Sequence, residues 1–330
     1  MARVTILGAG AMGTALAMHA ARKGLEPALW ANPHDAKALE SIRTEGRHPA
    51  LPEHVPPGLT IHGPEELEEA LADCEVAVMG ANSAGARSLA RMVAGALGEA
   101  RFVVSVAKGL EPESGLRISE VYSKELPDRV IVSVTGPCLA SELAQGLPTA
   151  VVWGSARAED ARATGERFAD RTYQIEYTDD VVGLELCSVL KNAAAIGIGM
   201  LDGMGELSHE GYSNAKAALF ARAVRELTEV VMALGGRAET VAGLAGMGDL
   251  LVTSLGGRNR MYGERIGAGG HPDEVLRAMT ERGLTVEGME SALDVHRLAD
   301  EHGLDVPYHH AVYRVLFEKA DPKEILEVLL

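Results

Sequence analysis

The hydrophobic and polar positions divide the chain into two parts of different character. In the first part, short apolar runs of β type alternate with amphipathic stretches of helical type. The apolar runs predict strands at residues 3–7, 26–30, 75–80, 101–106, 130–134, 150–153 and 173–177. Such alternation indicates an open, largely parallel α/β sheet, in which ligands bind beyond the carboxyl ends of the strands.

The second part begins at about residue 181, where the strand signals stop. Helical patterns follow at residues 184–195, 214–234, 272–282, 288–301, 308–318 and 322–330. The first of them is apolar on nearly every face, which is typical of a buried helix. We therefore expect an all-helical domain at residues 181–330, following an α/β domain at residues 1–180.

A glycine motif connects the first predicted strand to the first predicted helix. It reads Gly8-Ala9-Gly10-Ala11-Met12-Gly13 and has the form G-x-G-x-x-G. Gly8 allows a tight turn, Gly10 lets the backbone approach a pyrophosphate, and Gly13 lets the helix pack closely on the strand. The N–H groups at the start of the helix then face the phosphates. The α/β domain is therefore predicted to be of the Rossmann type and to bind NAD or NADP.

The second predicted strand ends at Trp30 without the acidic residue that usually binds the adenosine ribose. Asn32 follows, and its amide could bond a 2′-hydroxyl or a 2′-phosphate. With no Asp or Glu at this strand end, nothing built in repels NADP, so we expect NADH and NADPH both to be used. Arg43, Arg47 and His48 come next and could help to bind a phosphate, but each taken singly is interpreted as part of a solvated face.

Three later positions fall just past predicted strands, where a ligand site is expected. Asn82 follows the strand at residues 75–80, Lys108 follows the strand at 101–106, and Gly136 follows the strand at 130–134.

Lys191 is the unusual residue of the apolar helix at residues 184–195. An unpaired ammonium is costly to bury, so this lysine either extends its charged end to the surface or belongs to a site. The helix alone leaves both interpretations open. His309 and His310 are interpreted as a solvated helix start, without a ligand role.

Composition narrows the class of protein. The formal charge of −16 disfavours nucleic acid and anionic membranes as partners. No apolar run is expected to reach the length needed to span a bilayer, and Met1 runs straight into a strand pattern without a signal peptide. The three cysteines are far apart and lack metal-ligand spacing, which favours a reducing cytoplasm. No metal site is predicted.

Several motifs stand in order along the chain: GAGAMGTAL at residues 8–16, AKGLE at 107–111, GPCLASE at 136–142, LKN at 190–192, NAKAAL at 214–219, GLAGMGDL at 243–250, GRNR at 257–260 and VEG at 286–288. This set resembles the NAD(P)-dependent sn-glycerol-3-phosphate dehydrogenases of the bacterial and archaeal type. The resemblance covers nearly the whole length and is far more specific than the glycine motif alone.

The resemblance implies reversible reduction of dihydroxyacetone phosphate to sn-glycerol 3-phosphate, for phospholipid synthesis. An acid must protonate the carbonyl oxygen as hydride arrives, and Lys191 is the candidate, oriented by Asp249. Asn192 and Thr253 would bond a hydroxyl or the carboxamide. The substrate set is completed by Lys108, Gly136, Cys138, Gly257, Arg258 and Asn259.

In that substrate set Arg258 and Asn259 would bind the phosphate, and Gly136 would offer a backbone N–H. Lys108 would close the site over the substrate. The cofactor set implied is Gly8, Gly10, Ala11, Met12, Gly13, Asn32, Asn82, Lys108, Ala140, Arg258, Thr285 and Glu287. The resemblance also implies a homodimer.

A few positions depart from the family pattern. Cys138 stands where Ser or Thr is common, and Gly257 stands where Ser is common, so only a backbone contact remains at Gly257. Met12 replaces an aromatic residue, and Thr285 replaces a common Val. Residues 205–213 form a longer segment than the usual glycine-rich link.

Two alternatives come from different classes of protein. Another reductase of the same architecture, of the ketopantoate or hydroxyacid type, would not need Arg258 and Asn259 for a phosphate. A dinucleotide-sensing protein without catalysis would not need the pair of Lys191 and Asp249.

Overall fold

A computed structural model of the chain describes residues 3–209 and 211–330. The expectation about the first two residues, that Met1 carries no signal peptide, therefore lies outside the described residues. The chain divides into two compact units, Met1–Val181 and Val182–Leu330.

The first unit is built on one eight-stranded sheet with the order β3-β2-β1-β4-β5-β6-β7-β8. The strands from β1 to β6 pair in parallel, β7 is antiparallel to β6, and β8 is parallel to β7. This confirms the predicted, largely parallel α/β sheet. The strands are β1 (Arg3–Leu7), β2 (Ala28–Trp30), β3 (Thr60–His62), β4 (Cys74–Met79), β5 (Phe102–Ser105), β6 (Val130–Thr135), β7 (Thr149–Ser155) and β8 (Tyr173–Thr178).

Helices cover both faces of this sheet. They are α1 (Ala11–Arg22), α2 (Ala36–Glu45), α3 (Leu67–Leu71), α4 (Ala86–Val93), α5 (Ile118–Glu125), α6 (Ala140–Gln145) and α7 (Ala158–Gly165), with a 3₁₀ turn at Pro64–Glu66. Along β1, Ile6 belongs to the apolar cluster on one face and Leu7 to the cluster on the other. Successive side chains of a strand point to opposite faces, so a strand buried on both faces is apolar throughout.

All the regular elements of the second unit, among its described residues, are helices, as predicted. Its helices are α8 (Val181–Ser208), α9 (Ser213–Ala233), α10 (Ala238–Ala242), α11 (Asp249–Leu255), α12 (Arg258–Gly267), α13 (Pro272–Glu281), α14 (Gly288–His302), α15 (Pro307–Tyr313) and α16 (Glu324–Glu327). Two π-helical turns, Leu244–Gly248 and Arg314–Glu318, lead into α11 and out of α15.

Helix α8 is the apolar helix of the sequence, and it is longer than predicted. It runs over 28 residues and ends at Ser208, so the first four residues of the segment at 205–213 are helical. Residue 210 lies outside the described residues. Its length and composition would allow it to cross a membrane, which makes the expectation of no such apolar run wrong. However, 89% of its most apolar window is buried inside the protein, as in a core helix.

Glycines allow α8 and α12 to pack backbone against backbone. A Cβ on Gly199 would lie 2.2 Å from the carbonyl oxygen of Arg260, and one on Gly203 would lie 1.9 Å from that of Glu264. From the other helix, a Cβ on Gly263 would lie 1.9 Å from the carbonyl oxygen of Ile196. Side chains at these positions would force the helices apart, since small residues are what permit such close contact. This packing sets the position of the residues at the start of α12.

His309 was predicted to be solvated, and the structure shows that this is wrong. The residue is 1% exposed, and its Nδ1 lies 2.8 Å from Glu226 Oε2. Glu226, itself fully buried on α9, also accepts the backbone N–H groups of Tyr308 and His309. Burial raises the pKa of Glu226, but the contacts with His309 and these N–H groups outweigh it and leave the pKa below its usual value.

Candidate active site

The glycine motif forms a loop between β1 and α1 whose backbone is open at its centre. Gly8 has a φ of +119°, which a side chain rarely adopts, and Gly13 lies so close to Gly8 that a Cβ would come within 2.6 Å of its carbonyl oxygen. At Gly10 the nearest atom to an added Cβ is the carbonyl oxygen of Gly80, 3.7 Å away. Helix α1 begins at Ala11 directly behind this loop. The loop therefore fits a pyrophosphate, which needs close approach and backbone N–H groups.

Asp35 is a feature of this loop that the sequence interpretation missed. Its Oδ2 accepts the backbone N–H of Ala9 at 2.8 Å and that of Asn32 at 3.0 Å. The Asn32 side chain is engaged in a local turn, where its Oδ1 accepts the N–H of His34 at 2.7 Å. A carboxylate thus does reach the end of the second strand, three residues beyond Asn32.

His48 lies against the same loop. It is 7% exposed, so the interpretation of a solvated face is wrong for this residue, although Arg43 and Arg47 are exposed. Burial lowers the pKa of His48, opposed by a hydrogen bond with the Ala9 backbone and by the charge of Asp35. Ala9 is therefore held from two sides.

The other predicted residues of the first unit lie at the ends of successive strands. Asn82 follows β4 and caps a turn, with its Oδ1 accepting the N–H of Gly85 at 2.9 Å. Lys108 follows β5 and is half-buried beside Gly109, whose φ is +118°. Gly136 follows β6 with a φ of +129°.

The segment after Gly136 leads into α6. Cys138 is a half-buried cysteine outside any disulfide, and Ala140 is the first residue of the helix. Strands β1, β2, β4, β5 and β6 therefore end in the loops that carry the predicted contacts, as expected for ligand sites in open α/β sheets.

In the second unit, Lys191 forms a buried cluster with two residues of α11. Its Nζ lies 2.5 Å from Asp249 Oδ1 and donates to Thr253 Oγ1 at 3.0 Å. Lys191 is 3% exposed and Asp249 is 1% exposed, so this lysine does not extend its charge to the surface. Thr253 in turn donates to the Asp249 carbonyl at 2.6 Å, which fixes the hydroxyl between its two neighbours.

A second chain of contacts joins α8, α12 and α14. Asn259 donates to Asn192 Oδ1 at 3.0 Å, and its own Oδ1 accepts the backbone N–H of Gly288 at 3.0 Å. Asn259 is 8% exposed, so its amide is a buried bridge between helices. The sequence interpretation missed the contact with Gly288, because any residue except proline can donate a backbone N–H and the residue type therefore gives no signal.

Arg258, the first residue of α12, is half-exposed. Its guanidinium lies 3.7 Å from Glu287 Oε1, which joins the two residues that carry the predicted phosphate and cofactor contacts. Gly257 precedes the helix with a φ of +98°, and Thr285 is exposed. The Arg258 guanidinium therefore contacts Glu287 on one side, while about half of its side chain remains exposed to solvent.

These features define a class of protein. The chain combines a largely parallel α/β sheet, which carries an open glycine loop, with a helical unit that holds a buried lysine–carboxylate pair. This combination is typical of a dinucleotide-dependent oxidoreductase.

Comparisons with known proteins give the family. The model of the "NAD-dependent glycerol-3-phosphate dehydrogenase N-terminus" matches residues 3–161, and that of the "NAD-dependent glycerol-3-phosphate dehydrogenase C-terminus" matches residues 180–327. The NADP(+)-dependent glycerol-3-phosphate dehydrogenase of Archaeoglobus fulgidus is 35% identical, with 98% of this chain and 97% of the relative covered. The glycerol-3-phosphate dehydrogenase [NAD(P)+] of Clostridium perfringens is 32% identical, covering 100% and 97%.

A solved structure is similar over the same length. The glycerol-3-phosphate dehydrogenase of Coxiella burnetii has a TM-score of 0.88 at 32% identity, with 99% of this chain and 98% of that chain covered. The chain belongs to the NAD-dependent glycerol-3-phosphate dehydrogenase family and is an NAD(P)-dependent oxidoreductase. The resemblance found in its motifs is confirmed, which argues against the alternative of a ketopantoate-type reductase.

Proposed function

We propose that this chain catalyses the reversible reduction of dihydroxyacetone phosphate to sn-glycerol 3-phosphate with NADH or NADPH. The observation that carries the proposal is the buried pair of Lys191 and Asp249, 2.5 Å apart, in a chain of this family. A buried ion pair is a weak source of stability, because desolvation of both groups opposes their attraction. Its presence in an otherwise apolar helix is better explained by chemistry that needs a proton donor.

Lys191 serves as the general acid of the reduction. When bound, the reduced nicotinamide supplies hydride to the carbonyl carbon of the substrate. Negative charge then develops on the carbonyl oxygen, and the Lys191 ammonium donates its proton there. In the oxidation direction the neutral amine takes the proton back from the alcohol.

Asp249 and Thr253 act as positioning residues for that ammonium. Lysine has a long, flexible side chain, so its direction must be fixed by its contacts. The carboxylate of Asp249 and the hydroxyl of Thr253 hold Nζ from the α11 side. Thr253 is itself held by the Asp249 carbonyl, so α11 presents both groups as one unit.

Arg258 supplies the cation for the substrate phosphate. The net charge of −16 makes a local positive group necessary for an anionic substrate. A guanidinium is planar and matches two phosphate oxygens at once. Its 3.7 Å distance from Glu287 is long for an ion pair, so a phosphate can displace or share that contact. Asn259 supports this position by fixing the start of α12 on Asn192 and Gly288.

The remaining assignments in this proposal rest on the family. Lys108, Gly136, Cys138 and Gly257 complete the substrate set, while Asn82, Ala140 and Thr285 contact the cofactor. The domain boundary is taken at residues 180 and 181.

The cellular role proposed is supply of glycerol phosphate for phospholipid synthesis by a cytoplasmic homodimer. The support is the family and the absence of a disulfide at Cys74, Cys138 and Cys187, which fits a reducing compartment.

The test is a spectrophotometric assay of nicotinamide oxidation with purified protein. Dihydroxyacetone phosphate is compared with free dihydroxyacetone and with ketopantoate, each with NADH and with NADPH. We expect turnover with dihydroxyacetone phosphate and much weaker turnover with both comparison substrates. Faster turnover with ketopantoate would overturn the substrate assignment. No turnover with any of the three, in a protein that still binds NADPH, would favour a dinucleotide-sensing role.

A further inference from the structure

Two helices of the second unit bring three metal-ligand side chains together, none of them a residue of the proposed catalytic cluster. His296 and Asp300 lie one turn apart on α14, and His310 lies on α15. His296 Nε2 is 3.5 Å from Asp300 Oδ2, and His310 Nε2 is 3.8 Å from Asp300 Oδ1. One ligand atom from each residue lies within 4.8 Å of the other two.

The two imidazoles are held in place by aromatic contacts. His296 stacks on Tyr313 with 3.8 Å between ring centroids and 19° between ring planes. His296 and His310 meet edge to face, with 5.2 Å between centroids. Asp300 has 62% of its side chain exposed, against 30% for His296 and 27% for His310. The cluster is therefore ordered on its inner side and open to solvent at the carboxylate.

His310 Nε2 points to a missing ligand. It is a buried polar atom without a hydrogen-bond partner among the residues that the structure describes. At 3.8 Å from Asp300 it is too far for a hydrogen bond, and leaving a buried polar atom unsatisfied is costly. In the tautomer that carries its proton on Nδ1, Nε2 offers a lone pair that a cation can bind.

We propose that His296, Asp300 and His310 form a site for a divalent transition cation of the zinc class. Tetrahedral coordination with metal–ligand bonds of about 2.0–2.2 Å places ligand atoms roughly 3.4 Å apart. His296 approaches Oδ2 of Asp300 at 3.5 Å and His310 approaches Oδ1 at 3.8 Å. One ligand atom from each residue lies within 4.8 Å of the other two, so side-chain movements of about 1 Å would reach this geometry. Imidazole ligands favour zinc, nickel or copper, whereas magnesium and calcium prefer oxygen ligands alone.

The bound ion would tie α14 to α15 and take water as its fourth ligand. None of the three residues belongs to the cluster of Lys191, Asp249 and Thr253. The ion would act on the packing of these two helices, so it should raise thermal stability without being required for turnover.

The experiment is titration of chelator-treated, tag-free protein with Co²⁺ and Zn²⁺, followed by visible absorption and calorimetry. We expect one equivalent to bind with a tetrahedral Co²⁺ spectrum. His296→Gln and His310→Gln should each weaken binding at least about tenfold, since even an outer-shell partner of a metal ligand contributes 10- to 100-fold. The matched control is His302→Gln, because His302 is an exposed histidine on the same helix.

Three results would overturn the site. They are no Co²⁺ binding by the wild-type protein, unchanged binding in both variants, or an equal loss in His302→Gln. Circular dichroism and dehydrogenase assays of each variant show that it is folded. An Asp300→Asn variant keeps both rings in place and should weaken binding as well, which guards against an indirect effect of disturbed packing.

Discussion

The two candidate sites of this chain are built from different materials. The glycine loop of the first unit offers backbone groups, and its important feature at Gly10 is the absence of a side chain. The Lys191 cluster of the second unit consists of buried side chains that hold one another, with Asp249 2.5 Å from Nζ. A site made of backbone is lost by adding atoms, whereas a site made of side chains is lost by removing them.

The largest effect should come from adding atoms at Gly10. Gly10→Val is expected to abolish detectable NAD(P)H binding, because the side chain would occupy the approach of the pyrophosphate. The fold should survive, since a Cβ at this position meets nothing closer than 3.7 Å. Fluorescence titration with NADH and thermal denaturation would measure the two properties.

Two variants serve as controls for that experiment. Gly95→Val changes a glycine with nothing within 4 Å and should bind cofactor normally. Gly13→Ala should unfold more readily, because its Cβ would come within 2.6 Å of the Gly8 carbonyl oxygen. Normal NADH affinity in folded Gly10→Val would remove the pyrophosphate assignment.

Removing the ammonium in the second unit should have the next largest effect. Lys191→Met is expected to lower turnover about a hundredfold or more, the low end for one positioned acid, with NAD(P)H binding nearly intact. Lys191→Arg should not restore turnover, because a guanidinium stays protonated and has another shape. Steady-state kinetics with dihydroxyacetone phosphate is the measurement.

Stability needs separate treatment in this variant. Asp249 is 1% exposed, and without Lys191 it would be a buried, unpaired carboxylate. The double variant Lys191→Met with Asp249→Asn removes that charge and should be as inactive as the single variant. Near wild-type turnover in either would refute the role of Lys191 as the acid.

The contrast between the sites also explains what the sequence could predict. Strands β1, β4 and β5 are apolar on both faces, so their positions were found within one residue. Strand β3 was missed, because its three residues include an exposed first position. Helices α11 and α12 were not predicted, because glycines within residues 243–248 and at residues 256–257 flank them and glycine usually marks the end of a helix.

Contacts between distant residues could not be predicted by periodicity. His309 looked like a solvated helix start, but its partner Glu226 lies 83 residues earlier in the chain. The same applies to α8, which was predicted to end near residue 195. Its glycines Gly199 and Gly203 are compatible with a helix here because α12 packs directly on them. The lysine of this apolar helix was informative only because the family motifs supplied its partner, Asp249.

Arg258 tests whether the side-chain site extends to the substrate phosphate. Arg258→Ala should raise the KM for dihydroxyacetone phosphate roughly 10- to 100-fold, since hydrogen bonds to charged groups contribute about 1.5–3 kcal/mol. Free dihydroxyacetone lacks the phosphate and should be affected little. The matched control is Arg265→Ala, which removes another arginine from the same helix and should leave the KM for dihydroxyacetone phosphate nearly unchanged. Equal damage with both substrates would assign Arg258 another role.

The smallest expected effect is at Asp35, where a side chain supports the backbone site. Asp35→Ala removes the acceptor of the Ala9 and Asn32 N–H groups, and its side chain makes no cap contact with α2. Because the two contacts shape the loop, we expect cofactor binding to lose the equivalent of one net hydrogen bond, about 0.5–1.5 kcal/mol. The KM for NADH and for NADPH should then both rise about two- to tenfold, with kcat unchanged. Asp35→Asn keeps an acceptor oxygen without the charge and should lie nearer to wild type. If the carboxylate instead acts by repelling the 2′-phosphate, both variants would improve NADPH alone, and the expectation that the wild-type enzyme uses both cofactors would fail.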